Sequence, residues 1–166
     1  MPTKRITLLA ILTALALVLF LIESLFPPLF IPGAKMGLSN IVTLLALLML
    51  HPKDVALLVI VRTILGATLA GIPSTLLYSL PAGLISLAIS AALLYGVFPR
   101  ISLVAISVAA AVTHNAVQNV IYCLVTGSPQ LLSYLPYLAA AGAVAGVITG
   151  YAVWLVVRVI ARGDWG

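Results

Sequence analysis

Between Lys4-Arg5 and Pro27-Pro28 the chain runs from Ile6 to Phe26 with Glu23 as the sole ionisable side chain, and this run constrains the fold more than any other feature. At ~1.5 Å of rise per residue it matches the ~30 Å hydrocarbon core of a bilayer. It is not an isolated case. Of the 166 residues, 64% are hydrophobic and 7% charged, and the mean hydropathy is +1.31. Such a composition belongs to polytopic membrane proteins, so the chain must satisfy its backbone internally, as helices.

The punctuation predicts six spanning helices in one transmembrane domain covering residues 1–166. The first is Ile6 to Phe26, stopped by Pro27-Pro28; no small-residue cleavage site with a polar stretch behind it marks a signal peptide. Pro27 to Lys35 reads as a Pro/Gly-rich loop. Helices follow at about Ala34 to Leu50, Asp54 to Ala70 after the turn His51-Pro52-Lys53, and Thr75 to Phe98 after Gly71-Ile72-Pro73-Ser74, the last kinked at Pro81 and Gly83. The fifth is Ile101 to Thr126, and the sixth, after Gly127-Ser128-Pro129, is about Leu132 to Ile160.

If both ends share one side, that side collects Lys4, Arg5, Lys53, Arg100, Arg158 and Arg162. The other side holds only Lys35, and Arg62 lies within a span. Positive residues stay in the cytoplasm, so both termini are expected there, in the plasma membrane, with the Lys35, Gly71 and Gly127 loops outside. The net charge of +5 is spread over chain ends and turns without interleaved aromatics, which argues against nucleic acid as a partner.

Within the fifth apolar run lies Thr113-His114-Asn115-Ala116-Val117-Gln118-Asn119. His114 with Gln118 and Asn115 with Asn119 are i,i+4 pairs, so the four polar side chains share one helical arc. No water satisfies amides or imidazole in hydrocarbon, and the arc must face other helices, a ligand or a wet cavity. Arg62 sits mid-span, where an unpaired arginine costs about 3 kcal/mol on insertion scales, and needs a partner or water. Glu23 lies near the outer end of the first helix, and Lys35 and Asn40 flank the outer start of the second. Taken singly, each could be an ion pair or interhelical glue. As a set in the outer half of the membrane, Glu23, Lys35, Asn40, Arg62, His114, Asn115, Gln118 and Asn119 read as a small-molecule pocket, with Tyr78, Tyr134 and Tyr137 as aromatic walls.

Two stripes of small residues concern packing. Gly142, Gly146 and Gly150 form GxxxGxxxG on the sixth helix, expected to be an internal seam in preference to a homodimer face. Thr7, Ala10 and Ala14 form a second stripe near the cytoplasmic end of the first helix, open to a partner.

Absences narrow the function. No GxxxxGK[ST] phosphate loop is present, so ATP-driven transport needs hydrolysing subunits from other chains. The acids are Glu23, Asp54 and Asp164, too few and too scattered for a magnesium–diphosphate site or a carboxylate pair. Cys123 stands alone in an apolar run, so no intramolecular disulfide or thiolate cluster is expected. The expectation is a non-enzymatic protein without metal or cofactor.

The stretch Ala10-Ile-Leu-Thr-Ala14, then Glu23, Pro27-Pro28 and above all Pro32-Gly33-Ala34-Lys35-Met36-Gly37-Leu38-Ser39-Asn40-Ile41-Val42-Thr43-Leu44, looks like the membrane family called heptaprenyl diphosphate synthase component I, also called the Gx transporter family. In size and span count that family is similar to the S components of energy-coupling factor (ECF) transporters. The resemblance implies a bundle that binds a vitamin or other micronutrient from outside. It also implies docking of the AxxxA face, here Ala10 and Ala14, on a coupling protein carrying two ATPases. A second reading is a non-catalytic membrane subunit that holds a prenyl or quinone lipid for an isoprenoid or electron-transfer complex. Such a lipid site would be mostly apolar and open to the bilayer, whereas polar residues on four helices favour a water-soluble ligand.

Overall fold

The computed structural model describes residues 2–25 and 37–162, with side chains within 3–25 and 37–160. These residues form six α-helices: α1 (Pro2–Leu25), α2 (Leu38–Met49), α3 (Pro52–Leu69), α4 (Leu76–Gly96), α5 (Leu103–Thr126) and α6 (Leu135–Arg162). Short 3₁₀ segments, Pro73–Thr75 and Pro129–Tyr134, lead into α4 and α6. Helix ends follow local chemistry. Pro52 opens α3 with Asp54 in its first turn, where the missing N–H costs nothing and the carboxylate suits the helix dipole. Ser102 caps α5 by accepting from Ala105 N at 3.1 Å, and Gly127 closes it in the left-handed conformation, φ 65°.

Side-chain contacts fix the helix directions. Arg5 Nε donates to Asp54 Oδ2 at 2.8 Å, which sets the start of α1 beside the start of α3. Tyr95 at the end of α4 donates to the carbonyl of Leu47, near the end of α2, at 3.1 Å. At the opposite pole Glu23 of α1 meets Gly37 ahead of α2, and Asn115 of α5 meets Leu138 of α6. Each helix therefore runs antiparallel to the one before it. Lys4, Arg5, Lys53, Arg100 and Arg158 gather at one pole, called the basic end below.

The closest packing joins α5 to α6. A Cβ on Gly146 would stand 2.5 Å from Val108 Cα, and one on Gly150 2.7 Å from Val104 Cα, so the glycine stripe is an internal seam where backbones touch. Ser107 and Thr149 share a hydroxyl–hydroxyl bond of 2.8 Å across it. Val42, Leu47, Val55, Leu58, Val59, Ile106 and Val153 are fully buried between the helices. The outward faces are apolar as well: Ile11, Leu15 and Val18 of α1 and Val144, Val147 and Ile148 of α6 are exposed. A surface so apolar suits lipid, and the chain is a multi-pass membrane protein.

The six expected helices are present, and they differ in how plainly each can span a bilayer. Among the described residues, four segments are long and apolar enough to cross a bilayer: Thr3–Leu25, Pro73–Gly96, Leu103–Thr126 and Pro129–Ile160. Helix α2 has 12 residues, which at ~1.5 Å each reach about 18 Å. It begins at Leu38 because Gly37 leaves the helical region, and Ala34 to Met36 lie outside the described residues. Helix α3 is longer but carries Lys53, Asp54 and Arg62.

Candidate functional site

The site begins where α2 begins. Gly37 stands at φ 70°, a left-handed conformation that a side chain would strain, and turns its N–H away from the helix. That donor has no intrahelical acceptor, and Glu23 Oε1 receives it at 2.5 Å. A carboxylate at a helix N-terminus also meets the positive end of the dipole. The Gly37 carbonyl accepts from Asn40 N at 2.8 Å, closing the first turn. Thus Glu23, 8% exposed, is held by α2 from across the α1–α2 interface.

Asn40 passes the connection to α3. Its Oδ1 accepts from Arg62 Nη2 at 3.3 Å. Arg62 is 3% exposed, and its Nε and Nη1 have no hydrogen-bond partner. The Glu23 carboxylate acts electrostatically on this guanidinium. Buried charge is tolerated when compensated, and one carboxylate with one amide leaves most of the guanidinium's donors open.

Helix α5 turns its polar arc inward. Asn115 Nδ2 donates to Leu138 O at 3.1 Å, and Asn119 Nδ2 donates to Leu131 O at 3.0 Å, so these two tie α5 to the entry of α6. Gln118 is equally buried, yet neither Nε2 nor Oε1 has a partner. His114 is half-buried.

Between these elements lies a cavity of about 30 Å³, lined by Glu23, Ser39, Asn40, Arg62, Thr63, Ser79, His114 and Asn115 together with Phe20, Gly37, Ala111, Gly142 and Ala145. At roughly 10–15 Å³ per water it has room for about two. It sits in the half of the bundle away from the basic end. Of the residues expected to form a pocket, it gathers Glu23, Asn40, Arg62, His114 and Asn115. Gln118 and Asn119 are buried one turn further along α5, outside its lining. Tyr78 packs edge-on against Tyr122, ring centres 5.1 Å apart, and does not line it. Tyr134 and Tyr137 are exposed, 42% and 65%, so they are not walls: the turn into α6 points them outward. Lys35 lies outside the described residues.

Several lining groups were not expected. Thr63 Oγ1 donates to Val59 O at 2.6 Å and Ser79 Oγ to Thr75 O at 2.7 Å, so both spend their protons on their own helices. Toward the cavity these hydroxyls can act as acceptors. Phe20 packs against the bare backbone of Gly66, where a Cβ would come within 2.4 Å of the ring. Hydropathy does not reveal such residues, because self-bonded hydroxyls occur throughout apolar helices.

Thr7, Ala10 and Ala14 are all exposed, on the half of α1 nearer the basic end. Near that end a second recess, an open groove of about 490 Å³, is lined by Leu47, Leu48, Met49, Leu50, His51, Leu94, Tyr95 and Phe98. Among the described residues no three His, Cys, Asp or Glu side chains gather as metal ligands.

A family model described as heptaprenyl diphosphate synthase component I matches residues 12–156. The chain belongs to that family. No curated protein and no solved structure matches it. The stretch shared with the heptaprenyl diphosphate synthase component I family contains every cavity residue and Ala14, while Thr7 and Ala10 precede it. The matched range therefore spans the cavity-bearing part of this chain.

Proposed function

We propose that this protein is the substrate-binding membrane subunit of an ECF-type importer, a non-enzymatic protein that takes up a small water-soluble micronutrient. The observation that carries the reading is the meeting of Glu23, Asn40, Arg62, His114 and Asn115, from four helices, around one cavity inside an otherwise apolar bundle. A soluble ligand must exchange its hydration for such groups, whereas a prenyl chain gains nothing from them. The two acids within the described residues are apart and engaged, Glu23 with Gly37 and Asp54 with Arg5, which speaks against paired-carboxylate chemistry. A vitamin-sized solute needs roughly 300 Å³ or more, so binding widens the cavity.

In this reading all six helices cross the plasma membrane, and α2, half of whose residues are buried, is sheltered by its neighbours. The basic end faces the cytoplasm with both termini, and the cavity lies in the outer half. A cysteine placed at Ser128 then reacts with an impermeant reagent from outside, and one at Arg100 only after permeabilisation; the reverse pattern rejects this orientation. The partners are a transmembrane coupling protein and ATPase subunits, reached through Thr7, Ala10 and Ala14.

The groove at Leu47, Met49 and Phe98 favours a second reading, in which the ligand is a prenyl or quinone lipid. Native mass spectrometry of gently extracted protein separates the two. A bound polar molecule, lost in Arg62→Ala while that variant stays monodisperse, supports the importer. A co-purifying isoprenoid, or unchanged occupancy in an Arg62→Ala protein of lowered thermal stability, overturns it.

A further inference from the structure

Arg62 is the most demanding group in the cavity. It is 3% exposed, and its single hydrogen bond, Nη2 to Asn40 Oδ1 at 3.3 Å, is long. Nε and Nη1 point at no acceptor. Leaving the donors of a buried cation unsatisfied costs more than leaving neutral ones so, and the cavity beside them is where an acceptor can enter. The neighbouring hydroxyls do not compete for that acceptor, because Thr63 and Ser79 have turned their protons to Val59 O and Thr75 O. The donor-rich side of the cavity is therefore the Arg62 side.

Charge decides the kind of acceptor. Glu23 stands in the same cavity and is held by Gly37 N–H at the start of α2, so it is not free to swing out when a ligand arrives. With Arg62 and Glu23 offsetting each other, a monoanion leaves the site at one negative charge against the α2 N-terminus. A phosphate dianion would leave it at two, in a setting of low dielectric. A planar carboxylate fits a guanidinium and adds only one charge.

We infer that the solute bound by this protein carries a carboxylate, which docks on the open Nε and Nη1 donors of Arg62. The inference rests on the solute-binding reading above for its biological meaning, but not for its test. Formate, the smallest carboxylate, is the probe, since the cavity as it stands has room for about two waters.

In protein labelled with ¹⁵N at arginine, the Arg62 Nε–H signal is assigned as the one that persists when Arg5, Arg100, Arg158 and Arg162 are each replaced in turn by lysine. Sodium formate is expected to displace that signal saturably, while formamide at equal concentration and sodium phosphate at equal ionic strength do not. Thermal unfolding in detergent is expected to rise with formate in the wild type. In Arg62→Lys, which keeps the charge and loses the planar fork, the formate Kd is expected to rise at least tenfold. Absence of a saturable shift, an equal shift with formamide, or saturation by phosphate each overturns the assignment, and the wild-type spectra decide this even if Arg62→Lys does not fold. A saturable formate shift in a protein that co-purifies with an isoprenoid keeps the carboxylate site and retires the importer. A polar solute that co-purifies from a protein blind to formate does the opposite.

Discussion

At the residue scale the site depends on one backbone conformation. Gly37 sits at φ 70° and a Cβ there would stand 3.0 Å from Asn40 Nδ2. Gly71 shares the strain at φ 73° but has nothing within 4 Å. Alanine at either position costs about 1 kcal/mol of left-handed strain. Only Gly37→Ala also pushes Asn40 off Arg62. Thermal unfolding is therefore expected to fall by a similar first increment in both variants, with ligand occupancy reduced in Gly37→Ala alone; equal occupancy in the two removes Asn40 from the site. Much at this scale was legible in the sequence, since Glu23, Arg62, His114 and Asn115 betray themselves as polar groups in apolar runs. Ser39, Thr63 and Ser79 do not, because a hydroxyl bonded to its own helix has no visible cost. Tyr134 and Tyr137 misled for the opposite reason: an aromatic near a pocket's depth is as easily turned to the surface, as both are here.

At the element scale the order of tightness along α5 and α6 gives a graded test. An added Cβ meets Val108 Cα at 2.5 Å from Gly146, Ala111 O and Asn115 Nδ2 at 3.0 Å from Gly142, and nothing within 4 Å from Gly96 at the end of α4. Overpacking costs about 1 to 3 kcal/mol where neither backbone can yield. Gly146→Ala is thus expected to lower thermal stability most, Gly142→Ala less, and Gly96→Ala hardly at all. A change of oligomeric state without loss of stability would mean that the stripe serves a second copy instead. The seam was readable because GxxxG spacing has few uses in a membrane helix. The shortness of α2 was not: the apolar run from Ala34 to Leu50 hides the left-handed Gly37, and a glycine beside helix-forming residues gives no sign of which way it turns.

At the scale of the whole molecule, the bundle separates two surfaces. The polar cavity lies in the half away from the basic end, and the Thr7, Ala10, Ala14 stripe lies on α1 toward that end, exposed. The same helix carries Glu23 into the cavity, so α1 connects the proposed solute site to the proposed docking face through one continuous helix. Ala10 and Ala14 are an i,i+4 pair with almost no side chain, and a partner helix can approach there to backbone distance. Tryptophan at either position adds bulk that such a contact cannot absorb, at about 1 to 3 kcal/mol or more. Because both residues are exposed, the same bulk falls outside this chain's own core, and Ala10→Trp and Ala14→Trp proteins are expected to extract, stay monodisperse and retain ligand. Uptake into vesicles and recovery of ATPase partners are both expected to fail in them. The control is Leu15→Trp, also exposed and about 100° round the helix from Ala14, three or four residues from no member of the stripe. Transport that survives Ala10→Trp and Ala14→Trp would remove the docking role and, with it, the mechanical link between cavity and importer. Transport lost in Leu15→Trp as well would instead place the partner across a wider face of α1.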